Sequence, residues 1–380
     1  MIYLLLFAGL FMGWSLGTND AANAFGTAVA TRVVKYRTSI IIIAVMVVLG
    51  SILQGADDID KLSSISTNNE VSADVQDMEN IGVEFEKDEN GEFILDDDDN
   101  YIIKSKDNID EKALSTLRLK SGIKAAIIFI CAALTVFVMS YLKFPVSANQ
   151  AVTGAIIGWG LFHADYSNPE VTSTNLKEIG KFVSTWLLNP LGAAIISFVI
   201  VYFFKKFFEK KVESLKSYDK VIKIGYIIAG AYSAYTIGIN SSASVTAFYY
   251  DSFGVGANIL TNARLTAILG GLAIAVGVLT YSKKVMMTVG GSIANISQID
   301  GFLVILASAL AITVMKILLG IPVSTSQAVV GAVIGAGLVK GPKNVNFKVL
   351  GKIGIAWISS PTAAGLMAYI IALCTQSVLS

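Results

Sequence analysis

Residues 144–160 read FPVSANQAVTGAIIGWG, and residues 321–337 read IPVSTSQAVVGAVIGAG. Eleven of the seventeen aligned positions are identical, at a separation of 177 residues. Proline disfavours helix in the residue before it and suits a first helical turn. Each copy therefore predicts a helix that begins at the motif, with Ser147 and Ser324 in the N-cap position. A second pair lies downstream: IGKFVSTWLLNP at 179–190 and LGKIGIAWISSP at 350–361, each ending in W-x-x-x-P. A more degenerate pair lies upstream: GTNDAANAFGTAV at 17–29 and GINSSASVTAFYY at 238–250. From upstream motif to PVS motif is 127 residues in the first half and 83 in the second. The chain is thus two homologous halves, roughly 1–215 and 216–380, and the first carries an insertion.

The surroundings of these motifs are apolar. Of 380 residues, 54% are hydrophobic and 15% charged, where a soluble domain carries about 25% charged residues. Runs near the ~20 residues needed to cross the hydrocarbon core recur at 38–55, 122–142, 182–204, 221–240, 258–281, 301–320 and 353–378. The expected class is an all-α polytopic membrane protein; a transmembrane barrel would show alternating segments of about ten residues. The first apolar run is read as a span and not as a cleaved leader, because no basic segment precedes it. Cys131 and Cys374 both fall in apolar helices, so no disulfide framework is expected.

Charge sets the threading. Residues 57–120 hold 19 acidic and 7 basic side chains, whereas the rest of the chain holds 9 and 22. Basic clusters at Arg32/Lys35/Arg37, Lys143, Lys205–Lys223, Lys283/Lys284 and Lys340–Lys352 are expected on the cytoplasmic side. The N-terminus, the C-terminus and the acidic insert are expected outside, in the cell membrane. The organisation is then 1–56, first part of repeat one; 57–121, an acidic extracytoplasmic insert; 122–204, the rest of repeat one; 205–220, a basic cytoplasmic linker; and 221–380, repeat two. About five spans per half make the second copy enter from the opposite face, an inverted-topology repeat with broken or re-entrant helices, as in secondary transporters. Within the insert, VEFEK-DENG-EFILD predicts a hairpin around Asn90-Gly91. Glu86, Asp88, Asn90, Gly91 and Asp97 only loosely fit a calcium loop, and a solvated hairpin is preferred.

The polar residues at membrane depth carry the chemistry. Ionisable groups there line cavities, pair, or hold ions. Two helix N-termini starting inside the membrane point free N–H groups and positive dipole ends at one place, which suits an anion. Ser147, Asn149, Ser324, Thr325 and Ser326 add donors. No arginine lies in either motif, so charge compensation falls to a co-transported cation. Thr18, Asn19, Asp20 and Asn23, with Gln150, Asn240 and Gln327, offer the oxygen ligands that a hard cation takes, on a helix expected to be broken. A proton on Asp20 is the competing reading.

These motifs resemble the inorganic phosphate transporter (PiT) family: GTNDAANAFGTAV is similar to its G-x-N-D-x-A-N-A signature, and PVSANQ and PVSTSQ to its paired P-V-S-x-x-[QH] motif. The resemblance covers nearly the whole chain outside 57–121. It implies a cation-coupled phosphate symporter with inverted repeats, sodium-driven or in some relatives proton-driven, with sulfate carried by others. It also implies Asp20, Asn23, Asn240, Gln150 and Gln327 at the cation sites, and Ser147, Asn149, Ser324, Thr325 and Ser326 facing the anion. One departure stands out. The family's second copy usually repeats the N-D-x-A-N pattern, but here Ser241 and Ser244 replace the aspartate and second asparagine, with Asp251 or Asp300 as candidates to compensate.

The expected function is import of inorganic phosphate with Na+ by alternating access around a midplane site, with no resident cofactor. Partners are phosphate, Na+ and the bilayer, with no nucleic acid, and a homo-oligomer is left open. Sulfate carriage, H+ coupling and an anion channel are the alternatives. An enzyme is not expected, since the sequence offers no histidine cluster and no nucleophile–base pair.

Overall fold

The computed structural model describes residues 2–56, 84–86, 103–105, 111–163, 169–207, 215–246, 263–293, 296–319 and 323–379. Among these residues the helices, in chain order, are α1 (Ile2–Ala30), α2 (Tyr36–Gln54), α3 (Glu111–Tyr141), α4 (Ala148–His163), α5 (Pro169–Phe207), α6 (Leu215–Thr246), α7 (Ala263–Tyr281), α8 (Lys283–Ser292), α9 (Gln298–Leu319), α10 (Thr325–Val339) and α11 (Phe347–Leu379). With no water in the hydrocarbon to satisfy backbone groups, apolar segments of this length close their hydrogen bonds internally as helices. Seven are long and apolar enough to cross a membrane: α2, α5, α6, α7, α9, α11 and the Gly122–Tyr141 part of α3. The chain is a multi-pass membrane protein.

Helices α4 and α10 have 16 and 15 residues, about 24 Å at 1.5 Å per residue, less than the ~30 Å hydrocarbon thickness. They are the helices that begin at the PVS motifs. The chain leaves α3 through Lys143, whose φ is 67°, a left-handed exit of the kind that ends helices. Pro145 then prevents α3 from continuing. The expected break in the GTNDAANA helix is not found: α1 runs unbroken from Ile2 to Ala30 and α6 runs unbroken to Thr246. The polar side chains of the motifs therefore project from continuous helices, and Asn19, Asp20 and Asn23 reach partners on other segments. At the insert, Glu84–Phe85 pair antiparallel with Ile103–Ser105. The remainder of that hairpin, the calcium-loop positions beyond Glu86, and Asp251 lie outside the described residues. Residues 111–121 belong to α3, and the basic linker is shortened at both ends by α5 and α6.

The repeated motifs explain the packing, which is crosswise. Helix α4 of the first half lies on α11 of the second, and α10 of the second lies on α5 of the first. Gly154 meets the Pro361 carbonyl and Gly331 meets the Pro190 carbonyl; one turn on, Gly158 meets Gly365 and Gly335 meets Ala194. The same reciprocity joins α1 to α7 and α2 to α6: Gly17 faces Ile274 and Gly238 faces Val47, while Gly277 faces Trp14 and Gly50 faces Tyr235. Small residues let helices approach closely where lipid supplies no hydrophobic drive between them. The two motif helices, α1 and α6, cross in opposite chain directions, with Gly13 against Val245 and Phe25 against Gly230.

Gly331→Ala places a methyl group on the Pro190 carbonyl, and overpacking of this kind costs about 1–3 kcal/mol. A Cβ at Gly160 would meet nothing within 4 Å. Thermal melting in detergent is expected to show a clear loss for Gly331→Ala and no change for Gly160→Ala. Equal effects would remove close packing as the explanation.

The basic ends predicted to be cytoplasmic gather together. Lys283 lies over the Tyr36 ring, and Lys284 lies over the Tyr141 and Tyr281 rings. Close by, Asn346 N–H donates to the Ile293 carbonyl. At the start of α9, Asp300 is fully buried and paired with Lys205 at 3.0 Å and with Lys340 at 2.6 Å. It also exchanges capping hydrogen bonds with Ser297, the reciprocal arrangement of a capping box. Asp300 is therefore a strut between α5, α9 and α10, not a replacement for the carboxylate missing from the second motif.

Candidate functional site

The two PVS segments touch each other. Ser326 Oγ donates to the Val146 carbonyl at 2.9 Å, and Asn149 Nδ2 donates to the Val323 carbonyl at 3.2 Å. Ser147 Oγ accepts from Gln150 N–H and Ser324 Oγ from Gln327 N–H, each at 3.2 Å, so both serines cap their helices as the sequence predicts. The N-termini of α4 and α10 thus converge, and each carries a positive partial charge.

Against them lie the motif helices. Asn19 Oδ1 accepts from Val146 N–H at 3.3 Å while its Nδ2 donates to Ser140 Oγ and the Phe144 carbonyl. Asn240 repeats this on the other half: its Oδ1 accepts from Val323 N–H at 3.0 Å and its Nδ2 donates to the Val323 carbonyl at 2.8 Å. These two asparagines, expected among the cation ligands, are straps that hold each PVS segment to the motif helix of its own half. Thr18 is not brought to the site: its hydroxyl donates back to the Ser15 carbonyl.

At the next residue, and again a turn on at Asn23, the contacts cross between halves. Asp20 is 3% exposed. Its Oδ2 accepts from Thr325 Oγ1 at 2.8 Å, and its Oδ1 accepts from Asn23 Nδ2 at 3.1 Å and Ser326 Oγ at 3.4 Å. Asn23 Nδ2 also reaches Thr325 Oγ1 and Ser326 Oγ, both at 3.1 Å. Thr325 and Ser326, expected to face the anion, are grouped here with the carboxylate. The counterpart of the Asn23–Ser326 contact is Ser244 Oγ donating to Asn149 Oδ1 at 2.7 Å. Where Asp20 meets Thr325, the other half has Ser241 and Ala148, both buried.

Several buried oxygens and nitrogens here have no hydrogen-bond partner among the described residues: Asn23 Oδ1, Gln150 Oε1, and both Gln327 Oε1 and Nε2. An orphaned buried polar group costs about 1–3 kcal/mol, so these atoms fit a site that binds a hydrophilic solute. Asp20, Asn23 Oδ1, Thr325 and Ser326 gather oxygens at one point, beside the two capped N-termini and the unpartnered Gln150 Oε1 and Gln327 amide.

Sequence reasoning missed Asn189. Its Nδ2 donates to the Ser324 carbonyl at 2.7 Å and its Oδ1 is buried without a partner. The signal was available, since Asn189 precedes the proline of the repeated W-x-x-x-P motif. What was hidden was the crosswise packing of that motif on the PVS helix of the other half.

The model of the phosphate transporter family matches residues 16–368. The chain is 27% identical over 370 residues to "Putative phosphate permease MJ0630" of Methanocaldococcus jannaschii, covering 97% of this chain and 96% of that one. It is 25% identical over 364 residues to the sulfate permease CysP of Bacillus subtilis, covering 95% and 84%. A solved structure named "The sodium-dependent phosphate transporter" is similar with a TM-score of 0.70, at 20% identity over 99% of both chains.

Proposed function

Because the chain belongs to the phosphate transporter family, we propose that it imports inorganic phosphate in symport with Na+, by alternating access around the junction of the two PVS helices. The observation that supports this most directly is Asp20, a buried carboxylate on a first-half helix bonded to Thr325 and Ser326 at the start of a second-half helix. A cation on Asp20, Asn23, Thr325 and Ser326 would tie the halves together beside two N-termini that favour an oxyanion. Ser147, Asn149 and Ser324 then face the phosphate, Gln150 and Gln327 remain with the cation ligands, and the cation supplies the charge that no arginine supplies. Phosphate at neutral pH still carries a proton, so it can donate a hydrogen bond as well as accept; Asp20 is the acceptor that would favour it over sulfate. The reciprocal helix contacts and the opposite crossing of α1 and α6 support two inverted repeats rocking about this junction. The excess of basic side chains in the alternate loops supports reading the N- and C-termini and the acidic insert as outside the cell and residues 205–220 as cytoplasmic.

The test is uptake of labelled phosphate into proteoliposomes with Na+ and H+ gradients imposed separately, with and without excess unlabelled sulfate. Accumulation driven by Na+ alone and resistant to sulfate is expected. Accumulation driven only by H+ would assign Asp20 to a proton, full suppression by sulfate would make the protein a sulfate carrier, and flux indifferent to both gradients would make it a channel.

A further inference from the structure

The halves cross-pair position by position, and at one position the pairing has lost its chemistry on one side only. On the first, Asp20 accepts the Thr325 hydroxyl at 2.8 Å, and Asn23 contacts Ser326 at 3.1 Å. On the second, the Asn23–Ser326 contact persists as Ser244–Asn149 at 2.7 Å, so the helices meet in the same way. Yet the carboxylate is replaced by Ser241 and its hydroxyl partner by the methyl of Ala148, both sealed from water. The acid and its donor are missing together. Asn149 Oδ1 is occupied by the Ser244 hydroxyl, which withdraws the oxygen that Asn23 leaves free on the other side. The second half's other described carboxylates do not fill the gap: Asp219 is exposed at the start of α6, and Asp300 is held by Lys205 and Lys340.

We propose that the site has a single cation position, at Asp20 and Thr325, and that the pseudo-symmetric position at Ser241 and Ala148 binds none, so one Na+ accompanies each phosphate. This deepens the reading of the site as a Na+ and phosphate site and rests on it. A cation removed from water into a low-dielectric interior needs a compensating charge or a full set of oxygens. The first position has a carboxylate and the free Asn23 oxygen; the second has no carboxylate, and its Asn149 oxygen is taken by the Ser244 hydroxyl.

The experiment measures initial entry of radiolabelled Na+ and phosphate in the same proteoliposomes, for the natural chain and for S241D/A148T, which rebuilds the acid–hydroxyl pair. The natural chain is expected to give a Na+-to-phosphate ratio of about one, with a Na+ dependence of Hill coefficient near one, since that coefficient is bounded by the number of sites. S241D/A148T is expected to raise the flux ratio about twofold, and its Hill coefficient above one. A ratio near two in the natural chain would overturn the inference, even if the double variant does not fold, and so would a folded double variant with an unchanged ratio. Phosphate entry that carries no Na+ at all would instead reject the underlying Na+ reading, an outcome distinct from a ratio of two.

Discussion

Asp20→Asn is expected to raise the Na+ concentration that gives half-maximal phosphate uptake by roughly 100-fold, in a protein that still inserts. Losing one charged member of a buried hydrogen-bonded cluster costs about 2–5 kcal/mol of binding, and about 3 kcal/mol is roughly a 100-fold loss of Na+ affinity. The asparagine can still accept from Thr325 through its oxygen, but its amide nitrogen then confronts Asn23 Nδ2 and Ser326 Oγ, both of which donate to Asp20 in the native chain. The Na+ concentration giving half-maximal uptake reads this out directly. Uptake with unaltered Na+ affinity would show that the cation binds elsewhere and that Asp20 is only a tie between α1 and α10.

The second large effect concerns stability and lies far from that site in the chain. Asp300 is fully buried with both oxygens on ammonium groups, Lys205 at the end of α5 and Lys340 just past α10. Removing the partners of a buried charge leaves it uncompensated, at a cost of about 3–5 kcal/mol. The pair Lys205→Met and Lys340→Met should therefore lower the melting temperature in detergent much more than either change alone, because each lysine alone still neutralises the carboxylate. Adding Asp300→Asn should restore much of the loss, since the amide keeps the Ser297 capping contact without the charge. If the triple variant melts no higher than the double, the loss comes from the lysine stems and not from a stranded charge.

How much of this was legible beforehand differs from residue to residue. Ser147 and Ser324 were legible as caps because the signal is local: proline, then a hydroxyl, then a helix-forming run. The membrane class was legible for the same reason, since a run of about twenty apolar residues has few other uses. Asp20 was legible as functional from cost alone. That Asn19 and Asn240 clamp the PVS backbone was not legible, because an amide that binds a cation and an amide that clamps a backbone look alike in sequence. The return of the Thr18 hydroxyl to a carbonyl of its own helix was equally hidden, since spacing does not show which acceptor a hydroxyl takes. The break expected in α1 did not occur, since polar side chains met by partners on other helices leave the backbone ladder intact.

The sequence by itself determined the class, the duplication and the two helix starts, because each depends on residues within a few positions of one another or on a direct comparison of two strings. Only the tertiary structure decided which half each motif serves. The PVS helix of one half packs on the proline helix of the other, and Asp20 of the first half bonds to Thr325 and Ser326 of the second. Those contacts join residues about three hundred positions apart. The crosswise helix packing that frames them rests on glycines that let particular backbones approach, a property of helix surfaces in three dimensions that spacing along the chain does not encode.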